Sequence, residues 1–264
     1  MSNPAINVSQ LSFSYSQTTV LNDVSFSVNE GEYLSIIGPN GSGKSTLLKC
    51  LNRIVSADFS KIRIFGRELS SFSQKELAKL VGYVPQHHGL ITAYTVEEFV
   101  MMGRYPYLDP LRSYSSEDKK IVDDILHLTG LEEFKSRMMH QLSGGERQKV
   151  YIASSLAQQP KILLLDEPTI HLDPQHNIEV QKLISKICCE YRMTIIHVTH
   201  DLTHIQSWSQ KLIALKKGKI VFSGIPQEIL TAKNLEQVFE VPFQFFNDRE
   251  SSQTIIIPRI SEAK

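Results

Sequence analysis

No stretch of this sequence is apolar for long enough to cross a bilayer. Its apolar runs, such as those at residues 162–165 and 255–257, fall far short of the roughly 20 residues that a spanning helix needs. Contact with a membrane is therefore expected only through a protein partner. Charge of one sign is equally lacking. The 28 basic residues are balanced by 28 acidic ones, so no global field gathers nucleic acid or anionic lipid. Cysteine is scarce. Cys50, Cys188 and Cys189 form no disulfide framework, and the adjacent pair reads as packing residues on a helix, all three reduced. The first ten residues have neither the basic end nor the apolar stretch of a secretion signal, and the expected location is cytosolic. Internal repeats and low-complexity segments are absent. What remains is 264 residues, 41% hydrophobic and 21% charged, enough for one large α/β domain or two small ones.

Residues 6–37 alternate apolar and polar side chains with polar breaks at 16–18 and 29–31, the pattern of strands joined by hairpins. The last of these strands, residues 32–37, runs into a glycine-rich loop. Beyond it, residues 46–51 read as helix, 61–67 as a strand and turn, and Val81–Val84 as another strand. From about residue 90 to 158 the pattern becomes helical, with Thr95 and Glu98 spaced as a capping box and Gly130 placed as a helix stop. After Pro160 strands return: residues 161–165, then a helix over 176–192, then a strand at Thr194–Val198. In that helix Val180, Leu183, Ile184, Ile187, Cys188 and Tyr191 recur at helical spacing and predict a face packed on a sheet. Lys211–Lys216 and residues 219–223 suggest a hairpin around Gly218, followed by short helices and a strand at Thr254–Pro258. Alternating strand and helix implies a parallel core.

Gly38, Pro39, Asn40, Gly41, Ser42, Gly43, Lys44 and Ser45 fit G-x-x-x-x-G-K-[ST] at every fixed position, between a predicted strand and a predicted helix. Glycines let the backbone curl so that several N–H groups point at one centre, and the helix start adds the positive end of its dipole. Lys44 brings a full charge for phosphate. Ser45 offers a hydroxyl to a magnesium ion, which takes oxygen ligands in near-octahedral geometry. A flexible loop that merely caps a helix gives no reason for a lysine in that place.

A carboxylate at the end of a buried strand would hold the same metal. Four aliphatic residues at 162–165 suit a strand buried on both faces, and Asp166 follows at the carboxyl edge, where open α/β sheets bind ligands. Glu167 is a second carboxylate, placed to orient or activate water against the terminal phosphate. Alone, such a pair is more often a solvated turn; the phosphate loop reverses that preference.

Residues 142–148, Leu-Ser-Gly-Gly-Glu-Arg-Gln, match the signature motif of ABC ATPases and stand shortly before the Asp166 strand. Ser143 and Glu146 also form a capping box, yet two glycines in the cap, Gly144 and Gly145, favour close backbone approach to a ligand. Over residues 6–240 the chain resembles ABC ATPases. The resemblance implies a P-loop NTPase core with a mostly parallel sheet, an N-terminal antiparallel β subdomain and an inserted α-helical subdomain. It implies one domain over residues 1–264, with the insert at about 90–158 and a C-terminal extension at about 224–264. Tyr15 would stack on adenine, residues from Gly38 to Thr46 would hold ATP, and Ser143, Gly144 and Gly145 would reach the ATP of a second subunit. Gln86, with Ser45 and Asp166, would hold Mg2+. Glu167, His200, Gln86 and Lys44 would be the catalytic set.

Within that family the sequence is similar to import ATPases for iron–siderophore, haem and cobalamin complexes. The similarity rests on Thr95 to Glu98 leading to Gly103, Arg104, Tyr105, Pro106 and Tyr107, on residues 168–173 and on residues 224–230. Ile170 departs from it, standing where the family usually has serine. The implied partners are a second copy on ATP binding, a membrane permease dimer and, indirectly, an extracytoplasmic substrate-binding protein, with no nucleic acid. The implied location is the inner face of the cell membrane. The transported molecule is not written in a subunit that never touches it. A soluble ATPase for iron–sulfur assembly, or transport of another substrate such as a metal ion, would carry the same nucleotide motifs. Residues 104–107 read either as a docking surface for the permease or as a packed helix end with one solvated arginine.

Overall fold

Alternating side chains along the first thirty residues form strands β1 (Ile6–Tyr15) and β2 (Thr18–Val28), followed by β3 (Tyr33–Ile37), which is buried along its whole length. Helix α1 (Lys44–Leu51) comes next, then the short strands β4 (Ile62–Ile64) and β5 (Arg67–Glu68). The computed structural model describes residues 4–86, 93–108, 113–170, 172–247 and 254–259. It divides into two units, Met1–Ser70 with Ile196–Lys264, and Ser71–Ile195.

The second unit continues with α2 (Gln74–Leu80), β6 (Val81–Val84), α3 (Val96–Met102), α4 (Ser116–Thr129), α5 (Gly144–Ala157), β7 (Ile162–Asp166), α6 (Pro174–Tyr191) and the start of β8 (Thr194–Val198). The first unit then resumes with α7 (Ile205–Trp208), β9 (Lys211–Lys216), β10 (Lys219–Gly224), α8 (Pro226–Ile229), α9 (Ala232–Phe239), β11 (Phe243–Asn247) and β12 (Thr254–Pro258).

In the first unit β1 pairs antiparallel with β2 and β4, while β3 pairs in parallel with β9, Ile36 opposite Ile213. The β9–β10 turn has both Lys217 and Gly218 at positive φ, the two-residue hairpin geometry whose twist matches that of the strands. Ile37, Leu212, Ala214, Leu235, Val238 and Ile256 share a core that also takes in Phe243 and Phe245 of β11. In the second unit β6 and β7 pair in parallel, and the residues of β7 are all buried, as four consecutive aliphatics demand. The parallel ladders and the antiparallel β2–β1–β4 ladder agree with the expected fold class.

Several local expectations are corrected. The phosphate-loop helix starts at Lys44, two residues earlier than predicted, because Gly43 at φ 104 turns the chain straight into it. Tyr191 is 57% exposed although the other five positions of its stripe are buried, since it falls in the final turn of α6 just before Arg192 reverses the chain at φ 52. Cys189 is exposed while Cys188 is buried, as neighbours on a helix point about 100° apart. Helix α2 and strand β11 were not foreseen. The expected start of the helical insert falls on residues 87–92, and His171 is also outside the described residues. Among the described residues no helix is long and apolar enough to cross a membrane.

Candidate functional site

The phosphate loop is shaped by three glycines that no other residue could replace without strain. Gly38, Gly41 and Gly43 have φ of 151, 75 and 104. A Cβ on Gly38 would lie 2.0 Å from the Leu215 carbonyl oxygen, and one on Gly43 2.8 Å from both Leu21 Cδ2 and the Val20 carbonyl oxygen. The loop is thus pressed onto β2 and β9. The Gly218 amide donates to the Ser42 carbonyl at 3.0 Å, so the β9–β10 turn braces the loop from below its tip. Lys44 is buried, and its Nζ donates to the carbonyls of Gly38 and Pro39 at 2.9 and 3.1 Å, which folds the ammonium group back over the loop. Ser42 Oγ is buried without a hydrogen-bond partner among the described residues. A buried hydroxyl left so is costly, and an anionic oxygen in the cradle would satisfy it. The residues present fit a nucleotide phosphate.

Tyr15 ends β1 with 45% exposure and packs edge-on against Phe13 at 4.8 Å between ring centres, leaving a face for a flat ligand. His200 follows β8 and is exposed. Its loop is held by the Thr199 amide on the Ile36 carbonyl at 3.2 Å and by the Asp201 amide on Thr199 Oγ1 at 3.0 Å. Since β3 delivers the phosphate loop, the same strand orders both segments.

In the second unit Asp166 and Glu167 leave the end of β7 with 2% and 7% exposure. Glu167 has a positive φ of 52, a conformation that costs about 1–3 kcal/mol for a non-glycine residue and collects at functional sites. Gln86 Nε2 donates to Glu167 Oε2 at 2.5 Å, which orients that carboxylate and leaves the amide oxygen of Gln86 for another ligand. The Tyr83 hydroxyl donates to Asp166 Oδ2 at 3.3 Å. Tyr83 was missed by sequence reasoning, although its place in a strand next to β7 is the signal that could have found it. Within this unit the oxygen donors of Asp166 and Gln86 are of the kind that suits the hard cation Mg2+. No group of three or more His, Cys, Asp or Glu placed to hold a metal ion by themselves occurs among the described residues.

The signature turn opens α5 with the expected capping box. The Ser143 hydroxyl accepts from the Glu146 amide at 3.2 Å, and the Glu146 carboxylate accepts from the Ser143 amide at 2.7 Å. Burial raises the Glu146 pKa, but the bonds from Ser143 together with the charges of Arg137 and His176 outweigh it and hold the group below its ordinary value. Ser143 and Gly144 are exposed, and among the described residues a Cβ on Gly144 would meet only Leu172 Cδ2, at 3.9 Å. Gly145 differs: its Cβ would strike the His176 ring at 2.3 Å. His176 was not foreseen. It stands on α6, where Asp173 accepts its amide at 3.0 Å and its Nδ1 is 2.6 Å from the second Asp173 oxygen. The turn after β7 is thereby keyed to the signature turn. Ile170 is 36% exposed in that same turn.

Residues 104–107 overturn both expected readings of Arg104. It is 4% exposed and ion-paired with Asp118 at 2.8 Å, so it is neither solvated nor available to a partner, and the α3 helix had already ended at Gly103. Tyr105 and Tyr107 remain exposed at 66% and 38%.

Comparison with known proteins places these features in a family. The ABC transporter family description matches residues 21–170. The chain is 35% identical over 253 residues to the iron(3+)-hydroxamate import ATP-binding protein FhuC of Bacillus subtilis, covering 96% of this chain and 94% of that one. Among solved structures it is similar to a chain of an inward-facing metal-chelate type ABC transporter, with TM-score 0.85 and 30% identity over 98% of both chains. It is also similar to the dimeric post-hydrolysis cassette MJ0796 bound to ADP and Pi, with TM-score 0.72 and 28% identity over 84% of this chain and 98% of that one. With its phosphate loop, strand-end carboxylates and signature turn, this chain belongs to the ABC transporter family as an ATP-binding cassette, an ATPase.

Proposed function

We propose that this chain is the ATP-hydrolysing subunit of an importer for metal chelates of the iron–siderophore, haem or cobalamin type. It works through a separate permease dimer, with an extracytoplasmic binding protein delivering the chelate, and sits on the inner face of the membrane through that permease. The full-length likeness to FhuC and to the metal-chelate type transporter supports the substrate class. We read the chain as one cassette over residues 1–264, with a helical insert at about 90–158 and a C-terminal extension at about 224–264.

In this reading two copies close head to tail, each nucleotide held by the phosphate loop of one copy and the signature turn of the other. The observation that carries it is the bare, exposed Gly144. Among the described residues none crowds that position, Leu172 Cδ2 at 3.9 Å being in ordinary contact, and a capping box already satisfies the turn, so the missing side chain is explained by close approach of an outside group. Gly38 to Thr46 cradle the phosphates with backbone amides and Lys44, and Tyr15 stacks on the adenine. Ser45, Gln86 and Asp166 hold Mg2+, which when bound neutralises charge on the outer phosphate oxygens. Glu167, fixed by Gln86, accepts the proton of the attacking water, and His200 donates to the terminal phosphate. Preset donors at the loop and at the α5 start stabilise the spreading negative charge without reorganising at the moment of reaction. Loss of the bridging phosphate then frees the two copies.

In this reading the permease docks on the helical unit. Tyr94, Met101, Met102 and Tyr114, together with Glu97 and Glu98, line a cavity of about 360 Å³; methionine- and tyrosine-rich surfaces of this kind adapt to a partner helix. Ser143→Arg tests the sandwich. It should bind ATP nearly as the parent does, yet neither dimerise nor hydrolyse it; turnover at the parent rate would refute the shared site.

A further inference from the structure

Arg104 is a buried cation to which the mechanism above gives no task. Burying a guanidinium is costly unless its charge is matched and its N–H groups are bonded. Here Nε donates to Asp118 Oδ1 at 2.8 Å, and Nη1 donates to the Ala157 carbonyl at 2.7 Å and to Gln159 Oε1 at 3.0 Å. The Tyr107 ring lies over the guanidinium, with Cζ 3.9 Å from its centre, and the Tyr107 hydroxyl donates to the Gln158 carbonyl at 3.0 Å.

These partners define the C-terminal end of the signature helix. Ala157 is the last residue of α5, so its carbonyl is one that helix geometry leaves unpaired, and a cation there meets the negative end of the helix dipole. Just before Arg104, the backbone of Gly103 is so close to the last turn of α5 that a Cβ would lie 2.1 Å from the Ser154 carbonyl oxygen. The other oxygen of Asp118 accepts the Ser115 amide at 2.9 Å and hydroxyl at 2.7 Å, so one carboxylate both caps α4 and holds Arg104. A single side chain joins the segment after α3, the start of α4 and the end of α5.

The 14 residues of α5 make a rod of about 21 Å, along which a tilt of about 5° at one end moves the other by about 2 Å. We propose that Arg104 is a positioning residue for the signature turn: by fixing α5 at its C-terminal end, it sets where Ser143 and Gly144 meet the nucleotide of the partner copy. This rests on the sandwich reading above. Lysine cannot serve, because one ammonium group does not reproduce the planar fork that reaches Asp118 and Ala157 together.

Arg104→Lys in the full-length chain keeps the charge and loses the fork. ATP affinity by calorimetry should stay within about twofold of the parent while kcat falls roughly tenfold, a loss confined to the transition state. Tyr107→Phe, which removes only the bond to Gln158, should shift kcat the same way by less. Mixing Lys44→Ala and Ser143→Arg chains gives one complete site per dimer, with the loop from the Ser143→Arg chain and the signature from the Lys44→Ala chain. Arg104→Lys should lower the rate of this mixture when the Lys44→Ala chain carries it, and leave the rate unchanged when the Ser143→Arg chain does. Equal losses in both mixtures, ATP affinity falling along with kcat, or an unchanged kcat would each overturn the proposal. If instead the Ser143→Arg chain alone hydrolyses ATP at the parent rate, the sandwich reading fails, and that outcome is separate from these.

Discussion

The phosphate loop and the signature helix, which the proposed sandwich sets against the same phosphates, are held in place by opposite means. The loop is built from eight consecutive residues, three of them glycines at positive φ pressed onto the neighbouring strands. The signature helix is a rod held at both ends by side chains distant in sequence, Arg104 and Tyr107 at one end and His176 at the other. The loop therefore carries its geometry in its own residues, whereas the helix takes its geometry from three other segments of the second unit. Substitutions in the loop should act on nucleotide binding, and substitutions around the helix on stability and on the use of nucleotide already bound.

The largest effect expected from that difference is on folding. Arg104→Ala leaves the buried Asp118 carboxylate without its counter-charge and frees the Ala157 carbonyl, a loss of about 3–5 kcal/mol for a broken buried pair. Urea unfolding of the parent and variant measures it. A loss under about 1 kcal/mol would mean that the helix end is held by packing alone. Lys44→Ala comes next, with folding kept and ATP binding weakened by about 1.5–3 kcal/mol, as for a lost charged hydrogen bond. Equal affinity in calorimetry would remove Lys44 from the site.

The smallest effect is a pH dependence at Asp118. Burial, the largest single influence, raises its pKa, but the bonds from Arg104 and Ser115 together hold it below the usual carboxylate value. A group depressed in the folded state adds stability that is fully present above its unfolded pKa of about 3.9 and is lost as pH falls through the folded value. The parent should lose stability between about pH 5 and pH 3 more steeply than Asp118→Asn does. Parallel slopes in the two proteins would show that the pair contributes nothing to acid sensitivity.

The same contrast explains what could be read from the sequence. The phosphate loop, β7, the Ser143–Glu146 and Thr95–Glu98 capping boxes and the Gly218 turn were all legible, because each is determined by residues within a few positions of one another. The aliphatic run at residues 162–165 announced its own burial. Arg104 was misread because its partners lie 14, 53 and 55 positions away, and no local pattern separates a guanidinium that caps a remote helix from one in water. Tyr83 and His176 escaped for the same reason: each acts through a neighbour brought close only by the fold. Tyr191 shows the converse limit, since its helical spacing was right but the chain turned away before a partner arrived.

The central claim is that two copies of this chain share their nucleotides and that Glu167 handles the water. Glu167→Gln tests both at once, by sedimentation with and without ATP and magnesium. The account predicts a monomer without nucleotide, a stable dimer holding one ATP per chain with it, and turnover reduced about 10²-fold or more. A variant that stays monomeric in ATP and turns over at the parent rate would contradict it.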